Sequence, residues 1–422
     1  MSRTPDTRSD SDGATSVVVT PGPPVWVLAK VGEASLKGRN RRYFLEALRR
    51  NMRAALRGVD ARVLDGGSVV RISVPEERAA EEVGSRLERV FGLANASVCL
   101  ACDRDPEVIA ATASVAFERA RPRTFAVRVR RRDKSFFLTS QQLEREVGAA
   151  IQRATALPVD LSAPDLTVRV ELDTHGAYVH VRELTGAGGL PVGTSGRAMS
   201  LLSGGIDSPI ASLMAMKRGL AVEFVHFSGE PYLDPVAAGK AQAQARVLNG
   251  FQAASPGALW VIPFGNQQRM LSAVSPPSHR IVLYRRQMVR IGCALAARTR
   301  AAALVTGDSL GQVSSQTLAN MSAVDDASEL PILRPLLSFD KREVMAKAAS
   351  LGILALSELP AEDACPLFTE GGKQRTAVPR RDLLEAEAQL DLAALAEQGA
   401  EQARRVEPGV FLDRLERESR AA

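Results

Sequence analysis

The stretch Leu201-Leu202-Ser203-Gly204-Gly205-Ile206-Asp207-Ser208 constrains this chain more than any other. A short apolar run, Met199–Leu202, leads into it, and a helical pattern at 207–218 follows. Two adjacent glycines leave backbone N–H groups open to an oxyanion. Ser203 and Ser208 add hydroxyl donors, and the helix behind them points its positive end at the same place. No Gly-Lys-Ser/Thr follows at P-loop spacing, and the pattern is not G-x-G-x-x-G. A strand, a glycine turn and a helix in this order call for a parallel α/β sheet, with ligand at the carboxyl ends of the strands.

The rest of the C-terminal half agrees. Ala221–Phe227, Leu259–Pro263 and Ala303–Thr306 are further short apolar strands, and helices are expected near 207–218, 236–250, 280–300 and 340–351. Strands alternating with helices predict a doubly wound parallel sheet. Its other strand ends carry His226-Phe227 and Gly307-Asp308-Ser309, with Gln316 shortly after, and the helix before the fourth strand carries Arg285 and Arg286. A last helical segment is expected from about Arg380 to Leu415.

The N-terminal half reads differently. Residues 1–24, rich in Ser, Thr, Pro, Gly and Asp, have no apolar core and are expected to be a disordered leader. Val25–Lys30, 40–57, Val69–Val74, 76–91 and Ala96–Ala101 alternate short strands with two helices, which suggests a ferredoxin-like α+β unit with one strand not located. Glu107–Ala120, Phe125–Arg130 and Ser140–Arg153 then read helix, strand, helix, with Ser140 or Thr139 as N-cap of the last. Leu166–Leu172 and Ala177–Val181 form a hairpin around His175-Gly176. Five glycines in 186–196 mark the boundary between the halves. Of the net charge of +6, almost all lies in the first half: residues 25–185 carry 27 basic and 21 acidic side chains, and residues 186–422 carry 25 and 24. Two clusters supply it, Lys37-Gly38-Arg39-Asn40-Arg41-Arg42 and the run Arg128, Arg130, Arg131, Arg132, Lys134. Clustered cations on one domain are a footprint for phosphate, and their basic residues, rather than Tyr43, Phe44, Phe136 or Phe137, are the expected RNA contacts. No apolar run is long enough to span a bilayer, and four cysteines in 422 residues are not a disulfide framework; a reducing cytoplasm is the expected location.

The loop Ser-Gly-Gly-x-Asp-Ser resembles the pyrophosphatase loop of ATP-cleaving adenylating enzymes, in which Asp207 would position magnesium or orient the loop. Taken with VGEASLKGRNRRYF, RRRDKSFFLTSQQLEREVG, GAGGLPVGTSG, TGDSLGQVSSQTLANM, LPILRPLLSFDK and EDACPLF, in that order along residues 25–400, the chain resembles the tRNA 4-thiouridine synthetases, the tRNA sulfurtransferase (ThiI) family. The resemblance implies a multidomain protein. A ferredoxin-like domain (25–98) and a THUMP RNA-binding domain (99–185) come first. A Gly-rich linker (186–196) leads to an ATP pyrophosphatase domain of adenine-nucleotide α-hydrolase type (197–378) and a helical tail (379–422). It implies adenylation of uridine O4 at tRNA position eight by ATP with Mg²⁺, then replacement of the adenylate by persulfide sulfur from a cysteine desulfurase. Part of the family also serves thiamine synthesis, and some members are homodimers. Carried over by motif, nucleotide contacts fall on Leu201, Leu202, Ser203, Gly204, Gly205, Asp207, Ser208, His226, Phe227, Arg285, Gly307 and Gln316. No metal site built from protein side chains alone is expected.

Cys365, in Glu362-Asp363-Ala364-Cys365-Pro366, stands where the family has its sulfur-handling cysteine, often as a Cys-Cys pair; here Ala364 takes the first place. The resemblance is to short members that have no rhodanese domain. Cys99 and Cys102 form a single C-x-x-C without a nearby His and are expected to serve packing, and Cys293 lies in an apolar helical run. Two other readings compete: a small-molecule adenylating synthetase or amidotransferase on the same loop, and a non-catalytic RNA-binding protein that kept the fold.

Overall fold

The computed structural model describes residues 25–64, 69–234, 236–360, 366–369 and 373–407, apart from the side chains of 115, 116, 118 and 119. The expected leader at 1–24 and Cys365 lie outside the described residues. The chain divides into two compact units. One holds Cys99–Val181, and the other holds Trp26–Val98 together with the chain from Arg182 onward.

In chain order the second unit begins with β1 (Val25–Val31), α1 (Arg41–Ala55), β2 (Arg62–Leu64), β3 (Val69–Val74), α2 (Glu77–Leu87) and β4 (Leu93–Cys102). The strand that the sequence did not locate is β2, three residues long and paired antiparallel with β3. Its short, half-buried Arg-Val-Leu has too little alternation to read as a strand. Strand order here is β2-β3-β1. Leu45, Leu48 and Met52 of α1 recur at helical spacing and are buried.

The other unit takes over within β4 and continues through α3 (Pro106–Ala120), β5 (Phe125–Arg131), α4 (Ser140–Thr155), β6 (Leu166–Asp173) and β7 (Gly176–Thr185). α3 starts where Asp105 accepts the N–H of Glu107 and Val108 and Pro106 takes the first helical position. α4 has Thr139, not Ser140, as its N-cap. The Thr139 hydroxyl accepts from the Gln142 N–H at 3.2 Å, and the Gln142 side chain accepts the Thr139 N–H at 2.8 Å. β5 runs parallel to β6, and β6 and β7 form the expected hairpin. Ile109, Phe117, Val127, Leu143, Ile151 and Val170 share one core.

From Arg182 the second unit resumes with β8 (Arg197–Leu201), α5 (Asp207–Lys217), β9 (Ala221–Ser228), α6 (Val236–Asn249), β10 (Leu259–Pro263), α7 (Gly265–Ala273) and α8 (Arg280–Thr299). After these come β11 (Leu304–Val305), α9 (Leu318–Asp325), β12 (Ile332–Leu333), α10 (Lys341–Ser350), α11 (Ile353–Ser357), α12 (Arg380–Glu387), α13 (Leu392–Glu401) and β13 (Arg404–Val406). The sheet order is β12-β11-β8-β9-β10-β13. The first five strands are parallel, and β9 at the centre is buried along its whole length. Alternate residues feed two cores. Met199, Val225 and Ile262 face α8, while Ala198, Phe224 and Val261 face α5 and α6. That is the doubly wound arrangement the alternation predicted.

The tail departs from expectation. Within residues 380–407 the expected helical segment is not continuous: the chain breaks between α12 and α13, then turns into β13, which pairs antiparallel with β10, and 408–415 lie outside the described residues. Asp391 caps α13 by accepting the Ala394 N–H, and this cap marks the break. α12 is anchored by Glu387, whose carboxylate takes both Arg286 (2.6 and 2.7 Å) and Arg290 (2.9 Å) in a buried cluster. Arg286 is therefore a structural residue, and its neighbour Arg285 is the one turned to the site.

Candidate active site

The phosphate loop joins β8 to α5. The Ser203 N–H donates to the Ser208 hydroxyl at 3.0 Å, the two hydroxyls lie 3.1 Å apart, and the Gly205 N–H reaches Ser203 Oγ at 3.3 Å. Gly204 has φ +87°, a conformation that costs a side chain dearly and glycine little. Gly307, at the end of β11, comes so close that a Cβ there would sit 2.6 Å from the Ser208 backbone nitrogen. The strand end and the loop thus meet only because residue 307 has no side chain.

A cavity of about 180 Å³ opens at these strand ends. Leu201, Leu202, Ser203, Asp207 and Ser208 line it from the loop side, His226 and Phe227 from β9, and Arg285, Gly307 and Gln316 from the third side. Ten of the twelve positions carried over by motif therefore converge on one space. Gly204 and Gly205 belong to the loop but do not line the cavity. Met288, Thr306 and Asp308 line it as well and were not foreseen as contacts.

His226 is buried, with Nδ1 2.8 Å from the Leu202 carbonyl oxygen. A carbonyl only accepts, so Nδ1 carries the hydrogen. Asp207 sits in the first turn of α5, with Lys341 Nζ 3.0 Å from both carboxylate oxygens and the Gln312 amide at 3.1 Å.

Asp308 is the hub of the far wall. One oxygen takes Arg285, and the other takes the Thr306 hydroxyl at 2.8 Å and Arg334 Nε at 3.2 Å. Burial opposes its ionisation, but the Arg285 guanidinium, the Thr306 hydroxyl and Arg334 outweigh it and hold Asp308 below the usual carboxylate range. Arg334 also forks onto Asp325, and Arg285 reaches the Ser315 hydroxyl at 3.2 Å. The signal for Asp308 was present in Gly307-Asp308-Ser309. What the sequence did not show was that a carboxylate there would orient the arginine expected to meet phosphate.

The basic clusters are less uniform than their spelling. In the first, Arg39, Arg41 and Arg42 are exposed, Arg42 pairs with Glu46 at 2.8 Å, and Lys37 bonds Glu33 at 3.0 Å while lying over the Phe44 ring. In the second, Arg131 donates to the Phe136 and Leu138 carbonyls, Arg132 pairs with buried Glu171, and Arg128 donates to the Leu161 carbonyl at 2.9 Å. Arg130 and Lys134 are exposed. Of the aromatics, Phe136 is covered by Arg104 and Phe137 is 78% exposed.

Cys99 and Cys293 are buried, and burial pushes the Cys102 thiol up. None of the three has the setting of a reactive thiolate. Among the described residues no group of three His, Cys, Asp or Glu could hold a metal ion, and no helix is long and apolar enough to cross a membrane.

Three family models match the chain: a ThiI ferredoxin-like domain over residues 26–97, a THUMP domain over 105–182, and the thiamine biosynthesis protein ThiI over 193–392. A probable tRNA sulfurtransferase of Nocardia farcinica is 42% identical over 390 residues, covering 91% of this chain and 94% of the relative. One from Geobacillus kaustophilus is 39% identical over 382 residues, with 88% and 92% covered. A crystal structure of a 4-thiouridine synthetase–RNA complex with bound ATP matches with a TM-score of 0.82 at 31% identity, covering 91% of this chain and 99% of that one. A Pyrococcus horikoshii protein shares the fold, with a TM-score of 0.60 at 21% identity, covering 78% of this chain and 99% of that one.

Proposed function

This chain belongs to the tRNA sulfurtransferase family, and on that premise we propose that it uses ATP to replace O4 of the uridine at tRNA position eight with sulfur, making 4-thiouridine. The observation that carries this reading is the cavity at the ends of β8, β9 and β11, where loop, His226-Phe227 and Arg285 meet. A 31% identical relative holds ATP in its complex with RNA.

Uracil O4 attacks the α-phosphorus of ATP, and pyrophosphate leaves. The amides and hydroxyls of Ser203–Ser208 receive it, aided by the positive end of α5. Backbone groups at Leu201-Leu202 and His226-Phe227 read the adenine. Arg285, kept in place by Asp308, meets phosphate charge as a planar fork. Magnesium, when bound, would neutralise the phosphates, with Asp207 as its protein ligand. Asp207 lines the cavity, and to take that role its carboxylate would exchange Lys341 and Gln312, which it now accepts from, for the ion. A cysteine desulfurase passes its persulfide sulfur to a thiol of this chain, the outer sulfur of that persulfide attacks C4 as AMP leaves, and a dithiol reductant then splits the S–S bond, freeing 4-thiouridine and the thiol while becoming a disulfide itself. We assign the receiving thiol to Cys365, with a separate thiol reductant resetting it, since Ala364 replaces the partner cysteine. The same sulfur relay would serve thiazole formation in thiamine synthesis, the pathway in the matched family's description.

We assign tRNA phosphate contacts to Arg130 and Lys134 in the domain spanning 99–185, and to Lys37, Arg39, Arg41 and Arg42 in the domain spanning 25–98. Both domains would present the tRNA, and the domain at 197–378 would do the chemistry.

The test is incubation with unmodified tRNA, ATP-Mg²⁺, a cysteine desulfurase and cysteine, read by the near-ultraviolet absorbance of 4-thiouridine. Wild type is expected to give signal and Cys365→Ser none. Pyrophosphate release that does not need tRNA would instead favour a small-molecule adenylating enzyme.

A further inference from the structure

α6 packs behind the phosphate loop and has no part in the chemistry above. On it, Gln244 is fully buried. Its amide nitrogen donates to the carbonyls of Gly204 at 2.8 Å and Gly205 at 3.1 Å, and lies 3.0 Å from the Ser357 hydroxyl on α11. Ser357 spends its own hydrogen on the Ile353 carbonyl at 2.9 Å, so toward Gln244 it can only accept, and the two amide hydrogens are shared among three acceptors. One turn earlier Lys240, also buried, donates to the Leu359 carbonyl at 2.8 Å. One face of α6 therefore grips both the loop and the end of α11.

A trans peptide sets each C=O opposite the N–H of the next residue. Drawing the Gly204 and Gly205 carbonyls toward Gln244 aims the N–H groups of Gly205 and Ile206 away from α6. The Gly205 N–H accordingly meets Ser203 Oγ, and Ser203 lines the cavity. We propose that Gln244 is a positioning residue: it holds the loop amides in the orientation that receives pyrophosphate, with Ser357 and Lys240 bracing it through α11. The amide cannot be turned over, because its oxygen would then face two carbonyls. The contacts call for N–H donors at this reach, which Glu and Met do not supply. This deepens the sulfurtransferase reading and rests on it.

The experiment compares wild type with Gln244→Glu, Gln244→Met and Ser357→Ala in tRNA-dependent pyrophosphate release. The readouts are KM for ATP, inhibition by added pyrophosphate, kcat and melting temperature. In the Gln244 variants, KM and the pyrophosphate inhibition constant should rise together by about tenfold or more, with a smaller change in kcat. Ser357→Ala should move both in the same direction by less. Gln244→Glu keeps the size of the side chain; if it does not fold, Gln244→Met and Ser357→Ala carry the test. Unchanged KM and unchanged pyrophosphate inhibition in folded Gln244→Met overturn the proposal. If wild type itself shows no tRNA-dependent release, the functional reading fails instead. Calorimetric titration with inorganic pyrophosphate, wild type against Gln244→Met, then decides the role of Gln244 separately: weaker binding in the variant supports it and equal binding ends it.

Discussion

The loop at Ser203–Ser208 and the run at Arg128–Lys134 would both meet phosphate, yet they do it by opposite means. The loop has no cation of its own and relies on backbone N–H groups, two hydroxyls and a helix end. The run is dense in arginine but uses much of that charge internally: Arg131 closes a turn through two carbonyls, Arg132 neutralises buried Glu171, and Arg128 ties down Leu161. Charge counted along a sequence is not charge available to a ligand, whereas the donors of the glycine-rich turn are fixed by its backbone, with Ser203 and Ser208 hydroxyls now holding two of its amides.

The sharpest way to break this contrast is Gly307→Ala. A Cβ there would stand 2.6 Å from the Ser208 nitrogen, so the loop must shift. A displacement of this order should cost about a hundredfold in tRNA-dependent ATP turnover, measured as pyrophosphate release, while circular dichroism stays native. Near-normal turnover would mean that the loop does not need its backbone held. Next comes Arg285→Met, which leaves Asp308 buried with Arg334 as its remaining guanidinium partner. Stability should fall by about 3 kcal/mol at neutral pH. Because Asp308 is held below its ordinary value of 3.8, the stabilisation exists above that value and disappears as pH falls through the lowered one. Urea melts of the two proteins should therefore converge in acid; a constant gap would show that the pair is not the source. The smallest effects separate the arginines of the run. Arg130→Glu and Lys134→Glu should weaken tRNA binding and each lower the salt slope by about one, with melting unchanged. Arg131→Glu should lower the melting temperature, because a carboxylate cannot donate to the Phe136 and Leu138 carbonyls. Equal salt slopes for Arg130→Glu and wild type would remove Arg130 from the interface.

Much of this was legible because the signals were local. The alternation of apolar strands with helices predicts the doubly wound sheet, and the strand-end rule brings the loop, His226 and Gly307 together, with Gln316 shortly after. What stayed hidden depended on distance in sequence. Asp308 could be read as a strand-end residue but not as the partner of Arg334, twenty-six positions away. Gln244 carried no motif at all, since its role arises only when α6 lies against the loop. β2 and β13 are three residues each, too short for a period to show, and β13 follows a helical pattern that masks it. The assignment of Cys365 rests on resemblance alone.

β13 also has a consequence for solubility. Without it, β10 would be the rim of the sheet, offering a row of unpaired amide and carbonyl groups to any extended chain that drifts by. By lying antiparallel there, β13 places Arg404 and Arg405 along the new outer rim, with Arg404 held to Glu230 at 2.6 Å. A strand so brief, with two cations on it, makes a poor template for another molecule. β13 is thus a selvedge, finishing the fabric of the sheet so that it does not stitch itself to its neighbours.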